Sequence, residues 1–337
     1  MKIIADLPEK LISQVRDLIY RGRYSSISSF LLTATENQLA LETTSKDDSY
    51  TSQVISDKDN NTSNLRQFPH PTDDINVLKT PPQKDYENIW DLWLWGQINR
   101  VLPIKFATRY LAIITSSKGE LPELREFGER VSQSARNFGN QLIIQDKRLD
   151  IPRDKKLSTG FPTGDNSEKS QDRYMSQFVG YRKSDGEKTG ALFDLKFANL
   201  LETDNERIKI GLTSEGKSFS ELNNPVIDNK NYSSSLSKQE IHYYLNHIKR
   251  NIPGEVSLLK LILTYISRGI VKRDDMNNTL KKFVEGSNWS EGLVSTQRSG
   301  AISRMYELGL IAKEKIGLEV RYQITSTGIN FLKEISD

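Results

Sequence analysis

The chain has 337 residues, with 47 Lys and Arg against 44 Asp and Glu, three His and no Cys. At roughly 150 residues per domain, that length predicts two or three domains. The missing cysteine excludes disulfides, thiolate zinc sites, iron–sulfur clusters and a Cys nucleophile, and a net charge of +3 is too small to identify a nucleic-acid binder by itself.

No stretch has the length of a membrane span: the apolar runs 92–94 and 258–266 fall far short of the roughly 18–20 residues required. The opening Met1-Lys-Ile-Ile-Ala-Asp-Leu-Pro8 puts Asp6 and Pro8 where an export signal needs an unbroken apolar run. A cytoplasmic protein with no membrane partner and no cofactor is expected.

Residues 1–42 read as a strand and two helices. Ile3, Ala5 and Leu7 alternate with Lys2, Ile4 and Asp6, the pattern of a strand with one buried face. Pro8 suits the first turn of a helix whose apolar stripe is Leu11, Val15, Leu18 and Ile19, and Gly22 ends it. Ser25 and Ser26 offer N-caps for a second helix through Phe30, Leu31, Ala34 and Leu39. A unit this small needs a partner chain to bury its core. The order strand, helix, helix, with Leu7-Pro8 at the strand end and Tyr24-Ser-Ser-Ile-Ser-Ser-Phe-Leu31 in the second helix, resembles the ribbon-helix-helix family of the Arc and MetJ type. That resemblance implies a homodimer through residues 1–42 whose paired strands enter the major groove of double-stranded DNA. Lys2 and Ile4 would face the bases, and Ser28 and Ser29 would hold a phosphate at the second helix's start. Asp6 opposes phosphate, and the module's charges cancel, so a module that only dimerises is the alternative.

Residues 43–84 are dominated by Ser, Thr, Asp, Asn and Lys and end in Pro81-Pro82, which predicts a flexible polar linker. His70, alone between two prolines, is no metal site.

The remainder divides into 85–220 and 221–337. Trp90 and Trp93, three apart, predict a helix anchored in the core. A helix over 103–115 is followed by a long amphipathic helix over 121–149, with Leu124, Phe127, Val131, Ala135 and Phe138 on one face. The polar segment 154–173 is expected to be a mobile loop. Ser237-Lys-Gln-Glu240 has the spacing of a capping box, and Pro253 ends the helix it opens. His242 and His247, five apart on that helix, share no face and form no metal pair.

An internal repeat runs through this part. Gly190–Leu201 matches Gly300–Ile311 in apolar rhythm, and Leu212-Thr-Ser-Glu-Gly-Lys-Ser-Phe219 matches Ile324-Thr-Ser-Thr-Gly-Ile-Asn-Phe331. Upstream, Phe178-Val179 parallels Phe283-Val284, and the helix 103–115 parallels 256–268. Helices ending in a Gly-Leu stop, a two-stranded polar hairpin and the Thr-x-x-Gly-x-x-Phe run resemble the winged helix-turn-helix family, most closely over 298–335. The resemblance implies a third helix in the major groove and a wing on the backbone. In the second copy the helix residues would be Gln297, Arg298, Ser299 and Arg304, opposite the apolar face of Ala301, Ile302, Met305 and Leu308, with Lys313, Lys315 and Arg321 on the wing. In the first copy they would be Lys188, Thr189 and Lys196, with Arg207 and Lys209 on the wing, opposed by Glu187 and Asp194.

The expected fold is therefore mainly α with small β elements: a ribbon-helix-helix module, then two winged helix-turn-helix units. The expected function is a modular, dimeric DNA-binding protein, acting as a transcriptional regulator or as a plasmid or mobile-element DNA-organising factor. A protein–protein adaptor that uses its winged helices as scaffold is the alternative. No Walker loop, GxGxxG, HExxH or GxSxG motif is present, so no enzyme is expected. Asp150 with Lys155 and Lys156 is the nearest approach to a nuclease cluster, and chance produces such neighbours in a chain with 27% charged residues.

Overall fold

The computed structural model describes residues 70, 71 and 75–335, apart from 119, 204–206 and 318, together with positions 12, 13, 15, 16, 26–28, 30 and 31. The chain divides into two compact units, 1–65 and 66–337. In the first, 12, 13, 15 and 16 and then 27, 28, 30 and 31 are helical, as the periodicity predicts, and Val15 is buried. The expected strand with Lys2 and Ile4 lies outside the described residues, as do Ser29 and positions 43–69; Ser28 is exposed.

The second unit is mainly helical, with three antiparallel two-stranded sheets among the described residues. A 3-10 turn, Ile89–Leu92, stands where a tryptophan-bearing helix was expected. The anchoring holds: Trp93 is buried, stacked on Phe283 at 5.8 Å and edge-on to Trp289 at 5.6 Å. Helix α1, Leu102–Lys118, is buried along most of its length. Its first N–H groups are capped from the far end of the chain, since Glu307 accepts from Val101 at 2.5 Å and from Leu102 at 3.3 Å. Helix α2, Leu124–Arg148, buries Phe127, Val131, Ala135, Phe138 and Leu142, an apolar stripe at helical spacing, with Phe138 stacked on Phe106 at 4.9 Å.

The segment expected to be mobile is packed instead. Asp146 accepts the N–H groups of Leu157 and Ser158 at 2.9 and 3.0 Å, and Phe161 is buried among Phe106, Phe138 and Tyr174. Helix α3, Ser167–Tyr174, starts on the Asn166 side chain and runs into one π turn, Met175–Val179. The chain then leaves the helix at Gly180, forms the hairpin of β1 (Tyr181–Arg182) and β2 (Lys188–Thr189), and re-enters as the one-turn α4, Ala191–Asp194. Gly180 and Gly190 have φ of +119° and +111°, and a Cβ on Gly190 would overlap the Gly180 backbone. Only glycine allows the two ends of the hairpin to meet so closely.

Strands β3 (Ala198–Glu202) and β4 (Ile208–Leu212) pair with Ala198 opposite Leu212 and lead into α5, Ser214–Glu221. The polar segment's last residues, 75–84, lie on this hairpin rather than acting as linker. Ile75 is buried, the Leu78 N–H donates to the Leu212 carbonyl at 2.7 Å, and Thr80 donates to Glu215 at 2.7 Å.

The second half begins with α6, Lys238–Asn251, opened by the expected capping box of Ser237 and Glu240. Helices α7 (Pro253–Ser267), α8 (Arg273–Phe283) and α9 (Glu291–Glu307) follow, then β5 (Ile311–Ile316) paired with β6 (Glu319–Ile324), then α10, Ser326–Glu334. His247 is a satisfied core histidine, with Nε2 2.7 Å from the Leu195 carbonyl.

The repeat is visible in the backbone, in a corrected register. Thr213 Oγ1 accepts from the Gly216 N–H at 3.1 Å and donates to the Lys196 carbonyl; Thr325 Oγ1 accepts from Gly328 at 3.0 Å and donates to the Gly309 carbonyl. Lys196 thus matches Gly309, both with positive φ, and Leu195 matches Leu308. The expected pairing of Gly190 with Gly300 is three residues out, because Gly190 closes a hairpin while Gly300 lies inside α9. Likewise Phe178-Val179 precede the hairpin, whereas Phe283-Val284 close α8, one helix earlier in their half. The counterpart of α8 is α2. Each follows a short extended segment that bonds to the second hairpin strand, Ile210 N–H to the Pro122 carbonyl at 3.0 Å and Tyr322 N–H to the Val271 carbonyl at 3.3 Å.

Candidate nucleic-acid interface

Helix α9 does not present the residues expected on it. Arg304 is 0% exposed: its Nε and Nη2 donate to Glu255 at 2.8 Å each, and its Nη1 donates to the Ile98 carbonyl. Arg298 is 4% exposed and donates to Asn277 Oδ1 at 2.7 Å, and Gln297 is buried. The cause is packing on more than one side. Helices α7 and α8 cover one flank, and the Trp95–Gln97 segment lies on another so closely that a Cβ on Gly300 would overlap the Gly96 carbonyl. Gln297, Arg298 and Arg304 are therefore structural, and of the four expected residues Ser299 alone is exposed.

The first-half residues are scattered. Lys188 and Thr189 sit on β2, not on a helix, and Lys196 occupies the left-handed turn after α4. Lys188 donates to Asn199 at 2.5 Å and Lys196 to Gln83 at 2.9 Å, and burial lowers both ammonium pKa values. Arg207 is exposed and pairs with Glu123 at 3.3 Å; Lys209 lies half-buried on β4. In the second half Lys315 is exposed on β5, and Arg321, half-buried on β6, pairs with Glu319 at 3.5 Å.

Lys313 leads to a basic groove. Its Nζ lies 4.4 Å above the Tyr306 ring and 3.6 Å from Asp154, and burial lowers its pKa. This end of the β5–β6 hairpin forms one wall of a groove of about 1030 Å³ lined by six cations, Arg100, Arg148, Lys155, Lys156, Lys230 and Lys313. Arg148, Lys155, Lys156 and Lys230 are exposed and make no ion pair among the described residues. Their placement follows from the backbone. The last turn of α2 carries Lys147 and Arg148, where cations complement the helix dipole. Asp146 then pulls the chain back by binding Leu157 and Ser158, which swings Lys155 and Lys156 beside Arg148.

Of the acids of this region Asp150 is exposed, and the others are engaged with the protein. Asp146 is buried, Asp154 engages Lys313, and Glu307 caps α1 with burial holding its carboxyl above the usual range. The groove's signal was present in the sequence as the run Asp146-Lys-Arg-Leu-Asp-Ile-Pro-Arg-Asp-Lys-Lys156. Its alternating signs hid which charges reach solvent.

Among the described residues no group of three His, Asp or Glu could hold a metal, and no helix is long and apolar enough to cross a membrane. No protein-family model matches the chain, and comparison with curated proteins and with solved structures found no match.

Proposed function

We propose that the chain is a DNA-binding protein whose body is a pair of winged-helix units and whose phosphate contacts lie in the groove between the α2 end and the second wing. The observation that carries this reading is the cluster of Arg148, Lys155, Lys156 and Lys230, four exposed cations without ion-pair partners in one groove. A solvated cation in such a groove gains most by displacing condensed counterions from a polyanion. Exposed Lys315 and Ser299 extend the same half's surface, while α9 itself supplies packing. The ribbon-helix-helix resemblance of residues 1–42 would add a homodimer and a second set of contacts, so that modest affinities multiply by avidity. Transcriptional regulation, or organisation of plasmid or mobile-element DNA, is the corresponding role, and no catalytic step is assigned.

The burial of Arg298 and Arg304 favours a second reading, a protein–protein adaptor whose winged units are scaffold. Fluorescence anisotropy of the full chain on random duplex DNA across a salt series separates the two. DNA binding through the groove predicts that replacing Arg148, Lys155, Lys156 and Lys230 together by Ala lowers the log–log salt slope by about 3–4. No binding at low salt by the unaltered chain would leave the adaptor.

A further inference from the structure

A second cavity, of about 420 Å³, is lined in part by the hairpin and the short helix α4 that break the first half's helix. Its size lies in the usual range for small-molecule sites. One wall is the inserted hairpin β1–β2, a second is the segment 81–86, and the others come from Trp93 and Trp95, from α4 and from the α6–α7 junction.

The hairpin wall is fastened by one carboxylate. Glu187 pairs with Lys84 at 2.7 Å, accepts from the Tyr86 hydroxyl at 3.0 Å, and pairs with Lys183. Burial alone would raise this carboxyl, but the hydrogen bonds from Lys183 and Lys84 push it down to about 2. The fastening therefore stays ionised at any working pH.

The remaining polar groups are unevenly matched. Asp194 accepts the Gly190 N–H at 3.1 Å and lies in the field of Lys84 and Lys183, and Asp91 is exposed at the rim. Lys188 and Lys196, by contrast, face only the amide oxygens of Asn199 and Gln83, with no carboxylate at ion-pair distance among the described residues. Glu202 and Glu215 act on them only from beyond contact, so two half-buried ammonium groups stand without a touching carboxylate beside an apolar wall that includes Tyr86, Phe193 and Trp95, the last 42% exposed. Aromatic faces recognise flat rings, and desolvated ammonium groups recognise anions.

We propose that this cavity binds a small organic anion built on a flat aromatic ring, with the ring against Trp95 and Tyr86 and the anionic group on Lys188 and Lys196. A nucleoside phosphate and an aromatic carboxylate share that chemistry. The site is independent of the DNA-binding reading.

The test titrates the full chain with anilinonaphthalene sulfonate, a fluorescent aromatic anion, and then displaces it with AMP or with benzoate. Saturable one-to-one binding is expected. Lys188→Gln with Lys196→Gln should weaken it at least about tenfold through the loss of two charge-assisted hydrogen bonds, with the thermal midpoint unchanged. Displacement by AMP assigns the phosphate source, and displacement by benzoate the carboxylate. Absence of saturable binding, affinity unchanged in the double variant, or displacement by neither compound overturns the proposal. Should the double variant fail to fold, Trp95→Ala, at an exposed ring, takes its place, and unchanged affinity there overturns it equally.

Discussion

In both halves of the body a threonine sits at the base of the hairpin, Thr213 in one and Thr325 in the other, and each makes the same pair of side-chain hydrogen bonds. The helix before the hairpin shares nothing of that constancy. In the second half it is α9, 17 residues long and unbroken; in the first it is split by β1–β2 into α3, a π turn and the single turn of α4. The joint must satisfy particular backbone groups at a helix start, and few side chains do so. The helix need only fill space, so one copy could turn its polar residues inward while the other opened to form a cavity wall. What the two halves do differently should therefore reside in the helix and what replaces it.

The sharpest way to break that comparison is at Arg304. Arg304→Met leaves the Glu255 carboxylate buried without its partner and should cost about 3–5 kcal/mol in urea unfolding. Arg304→Met combined with Glu255→Leu should recover most of that loss, because the pair is removed with its desolvation penalty. DNA affinity per folded molecule should stay unchanged in the double variant. A drop in affinity at intact stability would place α9 among the proposed DNA contacts and contradict its purely structural role.

Local signals made much of the fold legible. The capping box at Ser237, the stripe from Phe127 to Phe138 and the Thr-x-x-Gly runs each depend on neighbours within a few turns, and each stands where expected. Arg304 was misread because its partners, Glu255 and Ile98, are 49 and 206 residues away, and polar residues on a helix read by default as solvated. The hairpin insertion was missed because Gly180 and Gly190 look like ordinary turn residues until both are seen to meet. For the site, Lys313 was identified on the wing, but Arg148, Lys155, Lys156 and Lys230 were not. Their convergence depends on Asp146 folding 157–158 back and on the connection at 230–235, and neither leaves a periodic trace.

The shared joint makes a second, smaller prediction. A Cβ on Gly216 would overlap the Phe197 carbonyl, and a Cβ on Gly328 would overlap the Leu310 carbonyl. Backbone cannot yield as a flexible side chain can, so Gly216→Ala and Gly328→Ala should each cost about 3 kcal/mol, and by similar amounts in chemical unfolding. A large loss at one site and none at the other would show that the two joints only look alike.

The least of the expected effects separates the halves again. In the structural register Asp194 stands where Glu307 stands in the other copy, and burial raises both carboxyls. Glu307 caps α1, which needs a charge or its hydrogen-bonding equivalent, while Asp194 accepts a single N–H from Gly190 in its own turn. Burial raises the Asp194 pKa from 3.8 to about 6. Between those values the folded chain holds a proton the unfolded chain has lost, so wild-type stability falls as pH rises through that window and stays lower above it. Asp194→Asn keeps the acceptor and cannot ionise. Its gain over wild type should be near zero below about pH 4 and reach at most about 3 kcal/mol near pH 8, less whatever water at its edge screens. A gain independent of pH would mean that Asp194 is strained by packing rather than by its charge.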